Sequence, residues 1–415
     1  MTDVGGLAFA SDPEALGFDS ARLARLDDWM AGMVAAGEVA GASTLLMRHG
    51  RVAAFNTFGH ARVGDAEPLR FDAIFRIYSM TKPVVGVALM MLMEEGLWTL
   101  DDPVDRFLPE LSDLKVFAGT GPDGEPVLED AVRAPTMREL MNHTAGFGYG
   151  LFDIHPVERA YREAQVLRAR SLDDLVARVA RMPLMFQPGT EWFYSVASDL
   201  QGAIVERLAG ASLGEVFRRR IFEPLGMVDT GFHVPSDQLH RLTGIYRGGA
   251  DGLVEATTAF DMPINDWSRP PPFEGGGGGL VSTATDYARF CQMILNRGEL
   301  DGARLLKSET VDLMATNAVP DAVLTRSSPL RLLPFSPAFG FGLDFAVMID
   351  PAAIGAVEGR GTLSWGGGGG TWFWIDPEND LVFVGLIQRL ADPVSDAFRR
   401  ETRTFVYAAL TDPDK

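Results

Sequence analysis

The chain has 415 residues, 47% hydrophobic and 22% charged, a globular balance with ample material for a core. Its 37 Lys and Arg against 56 Asp and Glu give a net charge of −19, which argues against nucleic acid and anionic membranes as partners. A single cysteine, Cys291, excludes an internal disulfide and a Cys-based metal site, and it reads as a small buried apolar residue.

The first six residues lack the basic region and apolar core of a secretory signal, so the expectation is a soluble, cytoplasmic protein. From Asp19 to about Ala36, apolar residues including Leu23, Leu26, Met30 and Met33 recur at helical spacing, with Asp19 or Ser20 as cap. Residues 42–47 and 52–58 predict two strands joined through the turn Arg48-His49-Gly50-Arg51. Phe75-Arg76-Ile77-Tyr78 then leads into Ser79 and an apolar run at 84–93, a buried helix too short for the ~20 residues that a bilayer needs. From about 120 to 245 the pattern is helical and loop-rich. There, Ser171 to Asp174 resembles a capping box opening a helix to about Arg181, and a second helix covers 198–208. Thr283 and Asp286 predict another capping box, before a helix that buries Tyr287, Phe290, Met293 and Ile294. After a glycine run at 366–370, residues 371–375 and 381–387 predict a hairpin, and a helix from about Val394 to Leu410 follows. Strands at both ends with helices between them predict an α+β fold. Residues 1–120 and 245–415 would form an antiparallel sheet flanked by helices, with a helical domain inserted at 121–244 and the active site in the cleft between.

Three elements carry chemistry. Ser79-Met80-Thr81-Lys82 places a hydroxyl and an amine on one face at a helix start, the minimum equipment for a nucleophile activated without histidine. The tetrapeptide also suits a serine cap with a solvated lysine. Tyr194, in Tyr194-Ser195-Val196, is either a general base deprotonated by a neighbouring lysine or an ordinary half-buried tyrosine. Ser364-Trp365-Gly366-Gly367-Gly368 lies between predicted strands, where glycines let backbone approach a ligand and an N–H complete an oxyanion hole, or simply form a flexible hairpin.

In this order, together with Leu140-Met141-Asn142-His143-Thr144-Ala145-Gly146 and Gly278-Gly279-Leu280-Val281-Ser282-Thr283, these elements resemble the serine β-lactamase and penicillin-binding-protein superfamily. Within it, the chain is most similar to the family VIII carboxylesterases. The resemblance implies that Ser79 is the nucleophile, Lys82 and Tyr194 its base pair, and the N–H groups of Ser79 and Gly368 the oxyanion hole. It also puts Trp365, Gly366 and Gly367 where β-lactamases carry Lys-Thr-Gly, and Val196 where they carry the asparagine of Tyr-x-Asn. Losing that cation and that amide removes anchors for an anionic lactam. The implied activity is hydrolysis of small-molecule carboxylic esters with short acyl chains, with no cofactor. Acyl specificity would rest on the loops at 148–156 and 261–273. The alternatives are a β-lactamase, a D-amino-acid peptidase or amide hydrolase, an acyltransferase, or a silent scaffold, the last predicting erosion of Ser79, Lys82 or Tyr194.

Other chemistries find less support. The six histidines come without a Gly-x-Ser-x-Gly elbow or an H-x-x-x-H pair, and His143 reads as a structural residue in a helix-end loop. The glycines at 275–279 are not followed by the Gly-Lys-Ser/Thr of a phosphate loop.

Overall fold

Large apolar residues alternate along the C-terminal strands, and the alternation divides them between two cores. The computed structural model describes residues 3–250, 252–259, 262–325, 338–390 and 392–412. Seven strands form one antiparallel sheet: β1 (Gly41–Arg48), β2 (Arg51–Gly59), β3 (Phe339–Phe341), β4 (Ala346–Met348), β5 (Leu363–Gly367), β6 (Thr371–Asp376) and β7 (Leu381–Ile387). Their order across the sheet is β3-β4-β5-β6-β7-β1-β2, so the two ends of the chain meet where β7 pairs with β1, from Leu381 opposite Arg48 to Ile387 opposite Ala42. The β1–β2 turn has His49 at φ 52° and Gly50 at φ 68°, the two left-handed positions of a type I′ hairpin.

On one face, Trp372, Trp374, Phe383 and Ile387 pack with helices α1 (Ser20–Ala35) and α5 (Pro393–Ala409). Trp374 stacks on Phe383 with ring centroids 4.2 Å apart. On the other, Phe373, Ile375, Val382 and Val384 join the core around α2 (Thr81–Glu94), α3 (Ala197–Ala209) and α4 (Ala284–Leu295). Period two along the strands thus sorts alternate residues into separate cores. α2 is apolar almost all round, and it is buried to match. Among the described residues, no helix is long and apolar enough to cross a membrane.

Side chains cap α1, α4 and α5, whereas α2 and α3 start without one, and two expected capping boxes are left half-made. Asp19 caps α1 by accepting from the Arg22 N–H at 2.9 Å. Ser171 caps the helix Leu172–Val179, but Asp174 turns to the Arg170 N–H and Arg178, leaving the reciprocal half of the box unmade. Likewise Thr283 caps α4, while the Asp286 carboxylate accepts from the Asp229 N–H and the Thr230 hydroxyl instead of closing a box. The helical reading also misses the hairpin Lys115–Thr120 with Pro126–Asp130.

Candidate active site

Strand pairing places the Ser79 turn before the helix begins. Phe75–Arg76 pairs with Val281–Ser282, and the Ile77 N–H donates to the Leu280 carbonyl at 3.1 Å. Tyr78–Met80 forms one 3-10 turn that runs straight into α2. Tyr78 has φ 43°, a left-handed conformation that strains a bulky side chain, immediately before Ser79. Ser79 is half-buried at the wall of a cavity of about 990 Å³, and Lys82 is fully buried.

The Lys82 ammonium donates to the Gly277 carbonyl at 2.6 Å and to the Tyr149 hydroxyl at 3.0 Å. It also sits 4.5 Å from the centre of the Tyr194 ring. Burial alone pushes its pKa down. The negative ends facing it, from Tyr149, Tyr194 and Asp199, outweigh that and hold it above the ordinary lysine value. Lys82 is therefore a cation in the resting site. Burial pushes the Tyr149 phenol up, against the pull of Lys82, so Tyr149 is a neutral partner.

Gly277 joins two charges that do not touch. Its carbonyl receives Lys82 and its N–H donates to Asp199 Oδ1 at 2.9 Å. A Cβ there would lie 2.4 Å from Asp199 Oδ2, so any larger residue would have to displace the Asp199 carboxylate. Burial raises the Asp199 carboxyl, with Lys82 and the Gly277 N–H opposing. The glycine run at 275–279 is thus a strap pressed against the start of α3, where a Cβ at Gly276 would meet the Ser198 carbonyl at 2.4 Å.

The β5 edge comes equally close. A Cβ on Gly367 would stand 2.2 Å from the Ile77 carbonyl oxygen and 2.4 Å from Thr371 Oγ1, whose hydroxyl itself donates to Ile77 at 3.2 Å. Glycine at 367 therefore sets the spacing between this edge and the Ser79 turn. Gly368 follows in the turn that leads to β6. Trp365 stands half-buried on the same edge, against Phe341 at 5.2 Å and Tyr194 at 5.4 Å, with its indole N–H directed to the Tyr194 hydroxyl at 3.4 Å.

Ser79, Tyr194, Trp365, Gly366, Gly367 and Gly368 all line this one cavity. Val196 does not: it is fully buried at the start of α3, its N–H donating to the Gly148 carbonyl at 3.1 Å. His143 is buried among Trp192, Tyr194 and Phe341, with Nδ1 3.1 Å from Ser195 Oγ. Burial and the Lys82 charge push its pKa well down, so it is a neutral packing residue. Sequence reasoning missed Tyr149 and Asp199. Tyr149 carried a signal, since Gly148 and Gly150 bracket an aromatic residue just after the motif ending at Gly146. Leu151, Phe152, Trp267 and Phe273, from the two expected specificity loops, give the cavity an apolar wall, while Asp261 lies outside the described residues. No cluster of three metal-ligating side chains occurs among the described residues.

Comparison with known proteins shows the family. The family model described as Beta-lactamase matches residues 26–408. Esterase EstB of Burkholderia gladioli is 30% identical over 97% of this chain and 99% of its own length. Lovastatin esterase of Penicillium rubens is 30% identical over 82% of this chain and 86% of its own. Among solved structures, EstCE1, "a hydrolase with promiscuous acyltransferase activity", superposes with a TM-score of 0.78 at 27% identity, covering 93% of this chain and 99% of EstCE1.

Proposed function

Because the chain belongs to the β-lactamase family, we propose that it is a serine hydrolase cleaving carboxylic esters through an acyl-enzyme on Ser79. The observation that carries this reading is a half-buried Ser79, one turn before the buried Lys82, on the wall of a cavity whose β5 side bears the indole of Trp365.

In this mechanism Tyr194 works as a phenolate whose proton Lys82 already holds, and Ser79 Oγ attacks the ester carbonyl carbon as its own proton passes to the Tyr194 oxygen. Lys82, already charged, stabilises the negative charge that develops beside it. The N–H groups of Ser79 and Gly368 hold the tetrahedral oxyanion. Collapse expels the alcohol, which takes the proton from Tyr194. Water then repeats the sequence on the acyl-enzyme, releasing the acid and restoring Ser79. Tyr149, itself on the cavity wall, receives the Lys82 ammonium and keeps it in place.

The cavity, about 990 Å³, lies at the upper end of the ~300–1,000 Å³ typical of sites for drug-sized ligands. We assign that volume to a bulky apolar alcohol and retain a short acyl group. A site this roomy also accommodates an acceptor alcohol in place of water, which gives acyl transfer as a second activity. The likeness to EstCE1 supports that reading.

The test is incubation with p-nitrophenyl butyrate and, separately, a chromogenic cephalosporin, followed by intact-mass measurement. Turnover of the ester with acylation at Ser79, and little lactam turnover, is the expected result. Full esterase activity in Ser79→Ala would overturn the mechanism.

A further inference from the structure

The loop that carries Tyr149 is held by a carboxylate that the proposed chemistry does not use. Glu158 lies in the first turn of the helix Pro156–Glu163 and is fully buried. Among the described residues its hydrogen bonds are to backbone alone. Oε1 accepts from the Tyr149 N–H and from the Gly150 N–H, the latter at 2.9 Å, and Oε2 accepts from the Phe152 N–H at 2.9 Å. A buried carboxylate stripped of such donors is costly, so residues 149–152 are obliged to keep their N–H groups turned onto it.

The fit around it is close. A Cβ at Gly148 would lie 3.0 Å from both Glu158 Oε1 and the Tyr161 ring, and one at Gly150, where φ is 85°, would lie 3.0 Å from the Arg162 nitrogen. The glycines on either side of Tyr149 thus let the loop settle onto Glu158 and the helix that bears it. Both halves of the loop face the cavity. Tyr149 receives Lys82 at 3.0 Å and sets its ring edge-on to Tyr194, with centroids 5.3 Å apart. Leu151 and Phe152 supply apolar wall, and Phe152 stands edge-on to Phe193 at 6.1 Å.

We propose that Glu158 is a positioning residue for the Ser79 site: through three backbone N–H groups it seats the Tyr149 hydroxyl on Lys82 and fixes Phe152 on the cavity wall. This rests on the hydrolase reading above and goes beyond it, since one carboxylate then couples the charge beside Ser79 to the shape of the substrate pocket. Its two oxygens divide the work, Oε1 holding the Tyr149 side and Oε2 the Phe152 side.

The experiment reads that division. Glu158→Gln keeps one carbonyl acceptor, which goes to the two donors of Tyr149 and Gly150, and turns an amide N–H towards the Phe152 N–H. With p-nitrophenyl butyrate, and kcat counted per Ser79 titrated by a fluorophosphonate so that unfolded protein drops out, it should raise KM about fivefold and hold kcat within about twofold. Glu158→Ala frees both sides and should lower kcat about tenfold, as Tyr149→Phe does. In the Tyr149→Phe background it should cost less than about threefold more, because the hydroxyl it positions is already gone. Losses that multiply in the double variant, or a wild-type KM in Glu158→Gln, would overturn the proposal, and the second result decides it if Glu158→Ala does not fold. Failure of wild type to hydrolyse the ester would count against the hydrolase reading instead. The clamp is then read from amide hydrogen exchange over residues 147–153, where protection should fall in Glu158→Gln, and unchanged protection would overturn it.

Discussion

Gly367→Ala is the sharpest test of how the β5 edge and the Ser79 turn depend on each other. The added methyl would stand 2.2 Å from the Ile77 carbonyl oxygen and 2.4 Å from Thr371 Oγ1, more than an ångström inside ordinary van der Waals contact. Ile77 is backbone and cannot swing away like a long side chain, so strand and turn must separate. Gly368 is carried on that strand end, and the Gly370 N–H bond to the Gly367 carbonyl, 3.0 Å, moves the whole turn with it. A displacement of about 1 Å in a catalytic array costs on the order of 10²-fold, and losing one oxyanion donor costs ~10²–10³. The expected kcat is therefore lower by about two orders of magnitude, close to 3 kcal/mol in the barrier, with KM changed little. Overpacking should cost about 1–3 kcal/mol of stability, which a chain of this size survives. Steady-state hydrolysis of p-nitrophenyl butyrate gives kcat, and circular-dichroism melting shows whether the fold persists. Gly32→Ala is the control, because nothing lies near that α1 position and alanine is the better helix former. A Gly367→Ala enzyme within about threefold of wild-type kcat, and melting normally, would refute the reasoning.

Tyr149→Phe removes the hydroxyl that receives Lys82 at 3.0 Å. It should lower kcat by about tenfold while KM holds, and an unchanged kcat would leave Tyr149 a packing residue. Buried Asp344 accepts from Ser198 at 3.2 Å and Gln201 at 3.1 Å, yet desolvation lifts its pKa from 3.8 to about 7. A raised pKa means the fold prefers the protonated acid. That stabilisation is full below pH 3.8 and is lost as pH rises through about 7. Asp344→Asn, neutral throughout, should therefore gain on wild type by up to about 4 kcal/mol between about pH 4 and 8 in denaturant titrations. Parallel pH profiles for the two proteins would refute that sign. Because burial holds His143 neutral, the pH–rate profile should show no ionisation belonging to it, and a limb near neutrality abolished by His143→Gln would contradict its packing role.

The sheet was legible because its strands obey period two with large side chains. Residues 371–375 and 381–387 alternate Trp372, Trp374 and Phe383 with Phe373, Val382 and Val384, and both faces are buried. The hairpin at 115–130 was not, because its second strand, Pro126–Asp130, is exposed at every position and has no buried face to impose a pattern. Asp286 and Asp174 fit the spacing of capping boxes, but tertiary or neighbouring donors claimed their carboxylates, and spacing alone cannot reveal such competition. At the site, Ser79 and Lys82 were legible as a local motif. Tyr149 and Asp199 were not, since each reaches the cavity from a segment distant in sequence. What ties them there is backbone geometry at glycines 148 and 277, where the missing Cβ is the determining feature.

The sheet's closure between the chain ends also has a consequence in time. Ile77 and the Thr371 hydroxyl it receives are separated by 294 residues, and β7, which joins the C-terminal strands to β1, comes later still. During synthesis the Ser79 turn emerges long before the strand edge that packs against it, and such distant pairings form late. A partly made chain therefore carries the Ser79 turn without the edge that walls its cavity, and under the proposed mechanism catalysis waits for the last strand to be translated and zipped into place.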